Sequence, residues 1–174
     1  SVIMKITRIL LSFCFLMVAA VAVAQTGFDT LKRELQREIK SYPATVGVAL
    51  IVNGRDTLAL NNEVQYPLMS VFKFHQALAV ADYLQRNRLT FDTPVTMEKA
   101  DLKENTYSPL RDEYPQGGVT KTVGELLAYT LQLSDNNACD ILFDRFVGVA
   151  ETDAYIRRQG ISDFAIAANE DDMH

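Results

Sequence analysis

Two cysteines, two histidines and no tryptophan occur in 174 residues. Cys14 lies in an N-terminal apolar run and Cys139 stands alone in ACDILF, so a disulfide framework is excluded, and Cys139 reads as a small buried hydrophobe rather than a nucleophile. His75 and His174 give no metal-ligand spacing, and no metal or other cofactor is expected. Basic residues are the minority, 17 Lys and Arg against 22 Asp and Glu for a net charge of −5, which makes nucleic acid an unsuitable partner. No internal repeat or low-complexity tract is present. The composition, 48% hydrophobic and 22% charged, is that of one globular domain or part of a larger one.

The one long apolar run is at the start. MKITRILLSFCFLMVAAVAVA carries Lys5 and Arg8, then an apolar stretch from Ile9, then Ala22-Val23-Ala24 ahead of Gln25. It reads as a secretory signal peptide, residues 1–24, cleaved after Ala24, with Met4 as initiator. It falls short of the ~20 residues of a spanning helix, so export to the periplasm is expected without a stable membrane anchor. Cys14 lacks the small-residue context of a lipidated cysteine. The cleaved segment removes two basic residues and no acid, so the mature chain is more negative still.

Beyond it, FDTLKRELQREIKSY places Phe28, Leu31, Leu35 and Ile39 at helical spacing. ATVGVALIV then predicts a strand over 44–52, apolar on both faces, and Asn53-Gly54 followed by RDTLAL predicts a hairpin. After residue 60 the pattern is helical, over 70–87, 122–133 and 137–147, with a loop-rich stretch at 89–118 and no further strand. Thr122 and Glu125 form a capping box. A hairpin covered on both faces needs sheet neighbours, and a lone two-stranded hairpin is marginal. The chain therefore reads as residues 25–174 forming the N-terminal part of a larger α+β protein.

Three features carry chemistry. In YPLMSVFKFHQALAV, about 100° of rotation per residue puts Lys73 in register with Ala77, Val80 and Leu84, opposite His75, Asp82 and Arg86. An ammonium on an apolar face is costly unless paired, and Ser70, three residues earlier, is within its reach. The plainer alternative is that Ser70 caps the helix and Lys73 snorkels outward. In LQLSDNNACDILF, Ser134, Asp135 and Asn136 lie between two helices, where a turn with an N-cap is the plain reading. Glu170 in AANEDDMH follows small apolar residues and, by itself, is an ordinary surface acid.

Together, S-x-x-K, then S-D-N, then a loop glutamate on an exported chain resemble the class A serine β-lactamases, whose motifs also include K-T-G. The resemblance extends to the strand pair before the serine helix, and to NTYSPL, where Tyr107 stands at the family's aromatic substrate gate. It implies the serine β-lactamase and penicillin-binding-protein fold, here an N-terminal helix and hairpin plus most of the helical subdomain. It further implies Ser70 as nucleophile, with its backbone N–H as half of the oxyanion hole, and Lys73 as a carrier of the serine proton. Ser134 would protonate the departing lactam nitrogen, Asn136 would bind the substrate's side-chain amide, and Glu170 would activate the hydrolytic water. The expected partner is a small β-lactam, penicillin or cephalosporin, met by a monomer.

The sequence also departs from the family. Where class A chains read E-x-x-L-N it reads E-D-D-M-H, so His174 takes the place of an asparagine that positions water; this variant resembles the extended-spectrum cephalosporinase branch. KTVG at 121–124 precedes S-D-N and is expected to open a helix rather than lie on a strand, so it is not K-T-G. With K-T-G absent, residues 25–174 alone are expected to be inactive. Two alternatives are a penicillin-binding D,D-peptidase, against which Glu170 argues, and a non-catalytic secreted penicillin-sensing module.

Overall fold

Asn53 and Gly54 both adopt left-handed backbone angles, φ 53° and 68°, which asparagine and glycine enter at least cost. They turn strand β1 (Val48–Val52) back onto strand β2 (Asp56–Leu60) in an antiparallel hairpin with Val48 opposite Leu60 and Val52 opposite Asp56. The computed structural model describes residues 27–173, which divide between Tyr66 and Pro67 into two units. The predicted signal peptide and His174 lie outside the described residues.

The first unit holds helix α1 (residues 27–39) and the hairpin. Phe28, Leu35 and Ile39 of the predicted stripe are half-buried, while Leu31 is exposed. On β2, Leu58 and Leu60 are buried and Thr57 and Ala59 exposed, the alternation of a strand with one covered face. The expectation for β1 needs correction in length and burial. It is five residues long rather than nine, and Ala49, Leu50 and Ile51 are exposed, Ile51 by 68%. Among the described residues β1 pairs with β2 alone.

The second unit opens with a 3-10 turn (Met69–Val71) that runs directly into helix α2 (Phe72–Arg86). There follow β3 (Pro94–Glu98), a 3-10 turn (Lys99–Asp101), α3 (Pro109–Glu113), β4 (Gly117–Thr122), α4 (Val123–Gln132), α5 (Asn136–Arg145), α6 (Val149–Arg158) and a 3-10 turn (Asp171–Met173). The absence of strands after residue 60 is thus overturned: β3 and β4 pair antiparallel, Pro94 opposite Thr122 and Met97 opposite Val119. Val95 and Met97 point into the core while their neighbours are exposed. A bulge at Met97/Glu98 brings Gly117 so close to Lys99 that a Cβ would lie 2.3 Å from the Lys99 nitrogen, and its φ of 63° likewise requires glycine. Lys121 and Thr122 end β4 and Val123 begins α4, so KTVG is half strand and half helix. Lys121 donates to the Tyr114 hydroxyl at 3.0 Å.

Helix starts follow local chemistry. Thr122 and Glu125 form the expected capping box, Ser108 caps α3 with Pro109 at its first position, and Asp135 caps α5 by accepting from the Ala138 N–H. The core packs Val80 and Leu84 of α2 with Met97, Leu110, Leu126 and Leu142, each such buried side chain contributing about 1.5–3 kcal/mol. A second cluster stacks Phe72 on Phe143, ring centroids 6.0 Å apart, and adds Cys139 and Ile166. It ties the segment before Glu170 to α2 and α5. No helix among the described residues is long and apolar enough to cross a membrane.

Candidate active site

Ser70 does not cap its helix. Neither the 3-10 turn nor α2 receives a side-chain cap, and the Ser70 hydroxyl instead accepts from Ser134 Oγ at 2.9 Å. Met69, just before it, has a φ of 46°, a conformation that costs a non-glycine residue free energy and recurs where a site over-determines the backbone. Lys73, one helical turn on, does not snorkel: its side chain is only 2% exposed. Its Nζ lies 3.4 Å from Ser70 Oγ, 3.3 Å from Ser134 Oγ, 3.0 Å from the Ser134 carbonyl, 2.5 Å from Asn136 Oδ1 and 2.8 Å from Glu170 Oε1. Three N–H bonds shared among five acceptors let the ammonium stay charged without water, the condition for burying it at all.

The turn between α4 and α5 supplies Ser134 and Asn136, and the plain reading of it as a turn with an N-cap holds. Asp135 is the N-cap, fully buried; its oxygens accept from Ser108 Oγ at 2.9 and 3.1 Å, from the Leu110 N–H at 2.6 Å and from the Ala138 N–H at 2.9 Å. So anchored, it leaves the flanking Ser134, in a left-handed backbone (φ 55°), and Asn136 facing Lys73. Asn136 also donates to Thr106 Oγ1 at 2.7 Å, and its backbone N–H to the Tyr107 carbonyl at 3.1 Å. Tyr107 itself is 61% exposed.

Glu170 is buried and reaches Lys73 from a segment without regular structure. Its backbone N–H and that of Asp171 are bonded by the two oxygens of Asp140, at 2.9 and 3.0 Å. Burial pushes the Asp140 carboxyl up to about 6, against the opposite pull of those two N–H groups. Asp140 was legible in principle: it is an acid inside the apolar run ACDILF, the same anomaly that singled out Lys73. Thr106 and Ser108 carried no such signal. The neighbouring Cys139 is buried, and burial raises its thiol far above the ordinary range, as its apolar setting suggests. Among the described residues no cluster of His, Cys, Asp or Glu is arranged to hold a metal ion.

Ser70 and Glu170 both line a cleft of about 540 Å³, whose other walls are largely apolar, including Leu68, Met69, Phe72 and Ile166. The cleft thus presents Ser70 and the buried Glu170 to one space, with the buried Lys73 ammonium within 3.4 Å of the Ser70 oxygen and 2.8 Å of the Glu170 carboxylate. Chemically, such a set can supply a nucleophile, a proton carrier and a group that activates water.

A model of the β-lactamase enzyme family matches residues 30–174. The chain is 38% identical over 171 residues to a β-lactamase of Bacteroides uniformis, an alignment covering 98% of this chain and 57% of that protein. It is 35% identical over 175 residues to β-lactamase VEB-1 of Pseudomonas aeruginosa, again 57% of that protein. Among solved structures, TLA-1 extended-spectrum β-lactamase superposes with a TM-score of 0.80 at 40% identity, over 85% of this chain and 54% of that one. A class A β-lactamase from Bacteroides cellulosilyticus gives 0.77 at 41% identity, over 84% and 52%. The chain spans little more than half the length of the relatives it matches. With a family model matched over most of its length and a shared fold at this level of identity, the chain belongs to the β-lactamase enzyme family.

Proposed function

We propose that the protein hydrolyses β-lactams through an acyl-enzyme on Ser70. The observation that carries this reading is the buried Lys73 ammonium, held between Ser70 Oγ at 3.4 Å and Glu170 Oε1 at 2.8 Å. Lys73, once it has released a proton to solvent, takes the Ser70 proton as Oγ bonds to the lactam carbonyl carbon. Ser134, 2.9 Å from Ser70 and 3.3 Å from Lys73, relays a proton to the lactam nitrogen as the C–N bond breaks. In the second half, Glu170 takes a proton from water, whose oxygen attacks the ester carbon, and Ser70 leaves with a proton returned. Asn136 binds the substrate's side-chain amide, and the exposed Tyr107 flanks the entrance. His174 is proposed to stand beside the hydrolytic water.

Penicillins and cephalosporins are the proposed substrates. Relatives named extended-spectrum β-lactamases, among them PER-1 of Pseudomonas aeruginosa at 34% identity, support including the latter. The protein is proposed to be a periplasmic monomer exported by residues 1–24, so the exported form should have the intact mass of a chain beginning at Gln25.

The test is turnover of a chromogenic cephalosporin by the full-length gene product. Ser70→Ala should form no covalent adduct, and Glu170→Ala should give one equivalent of product and then stall as the acyl-enzyme. Steady rapid turnover by Glu170→Ala would remove Glu170 from its role. A D,D-peptidase would show the stall in the unaltered protein.

A further inference from the structure

Residues 103–107 contain no helix or strand, and Lys103, Glu104, Asn105 and Tyr107 are exposed, so neither a ladder nor burial keeps the segment in place. Glu104 borders a cleft of about 420 Å³. The carbonyls of the segment nevertheless converge. Arg111 Nη1, on α3, donates to the Lys103 carbonyl at 3.0 Å, the Glu104 carbonyl at 2.9 Å and the Thr106 carbonyl at 2.6 Å. Carbonyl dipoles aimed at one point repel one another unless a cation sits there, and the guanidinium supplies it. Asp112 Oδ1 accepts from Arg111 Nε at 3.1 Å and Nη2 at 2.8 Å, which sets the plane of the fork.

The segment also meets α5. Fully buried Asn137 accepts from the Lys103 N–H at 3.0 Å and donates to the Lys103 carbonyl at 3.1 Å. Asn136 donates through Nδ2 to Thr106 Oγ1 at 2.7 Å and through its backbone N–H to the Tyr107 carbonyl at 3.1 Å. One hydrogen of the Asn136 amide is thereby directed to Thr106 while Oδ1 faces Lys73, and the second hydrogen is the one left for a substrate carbonyl. Arg111 fixes the Thr106 backbone, and Thr106 fixes the turn of that amide.

We infer that Arg111 is a positioning residue for recognition of the acylamide side chain of a β-lactam: its guanidinium holds Thr106 and Tyr107 against Asn136 and so aims the Asn136 amide, without touching substrate. The inference rests on the acyl-enzyme reading above. Without the guanidinium, water takes up the exposed carbonyls, so the segment gains freedom while the apolar core, to which Arg111 does not belong, stays packed. The Asn136 amide then loses its fixed partner. The loss falls on binding of substrates that carry an acylamide. Release of the acyl group depends on Glu170, which lies on another segment, and is far less sensitive to residues 103–107.

The experiment compares the full-length gene product with its Arg111→Met variant, which keeps the reach of the side chain and removes every donor. Two substrates are used: benzylpenicillin, which carries an acylamide, and the penicillin nucleus lacking its acyl group, with a bare amine in place of the amide. In the variant, kcat/KM for benzylpenicillin should fall by about tenfold through a rise in KM, as for the loss of one hydrogen bond. For the bare nucleus kcat/KM should stay within about twofold, as should the decay of the benzylpenicillin acyl-enzyme followed by mass spectrometry. An equal loss on both substrates is what a merely structural defect gives, and it would overturn the inference. So would an unchanged kcat/KM for benzylpenicillin. Absence of any covalent adduct in the unaltered protein would instead sink the Ser70 reading. Should Arg111→Met not fold, nuclear magnetic resonance of the Arg111 guanidinium in the unaltered protein decides: the two Nη1 hydrogens should give separate, slowly exchanging signals, and one signal averaged by rotation about Cζ–Nη1 would refute the role of Arg111.

Discussion

Replacing Asp135 by alanine should destabilise the protein more than any change in the chemical residues beside it. Three donors end on that carboxylate: the Ser108 hydroxyl and the backbone N–H groups of Leu110 and Ala138. Asp135 is fully buried, as are Ser108 and Ala138, so water replaces the lost acceptor only in part. At about 1–3 kcal/mol for each of the three donors left without a partner, the loss comes to roughly 3–9 kcal/mol, a large share of the ~5–15 kcal/mol that holds a typical domain. Asp135→Asn keeps one acceptor oxygen and should lose about half as much. Urea unfolding of the full-length gene product is followed by far-ultraviolet circular dichroism. If Asp135→Ala unfolds within about 1 kcal/mol of the unaltered protein, the N-cap is not what anchors Ser134 and Asn136, and the argument for their placement fails.

Cys139 should resist thiol reagents in the native protein and react on unfolding, since it is buried and its thiol pKa is raised; rapid native labelling would contradict the packing around Phe72 and Phe143. Asp140 should make stability fall as pH rises. Its folded pKa, about 6, lies above its ordinary 3.8, so the native state holds the proton more tightly and loses that advantage between about pH 4 and about pH 6, a slope that Asp140→Asn should flatten in urea titrations.

The sequence was most readable where one residue contradicted its surroundings. Lys73 on an apolar helix face could be resolved only by buried partners, and the structure supplies them. Asp135 was readable as a cap because an acid before a helix has a local reason to be there. Glu170 had no local signal; only its order after the two motifs raised it, and its burial depends on Asp140 and Lys73, which lie far away in sequence. The β3–β4 pair was missed for a similar reason. Pro94 opens one strand and Gly117-Gly118 the other, both weak strand formers, and the alternation of Val95 and Met97 lasts too few residues to stand out. Helix α6 was missed because charged Glu151, Asp153, Arg157 and Arg158 dominate it, and only Thr152 and Ile156 are buried. The apolar character of β1 was plain, but its burial was not, since burial depends on neighbours that a strand does not encode.

The central claim, that Ser70 is the acylated nucleophile and Glu170 releases it, is tested most directly by locating the adduct. The full-length Glu170→Gln protein is mixed with a penicillin, quenched, digested, and the modified peptide sequenced by mass spectrometry. The ring-opened penicillin should be found as an ester on Ser70, at one equivalent and persisting. An adduct on Ser134 or Lys73, or no adduct with the protein folded, would contradict the account.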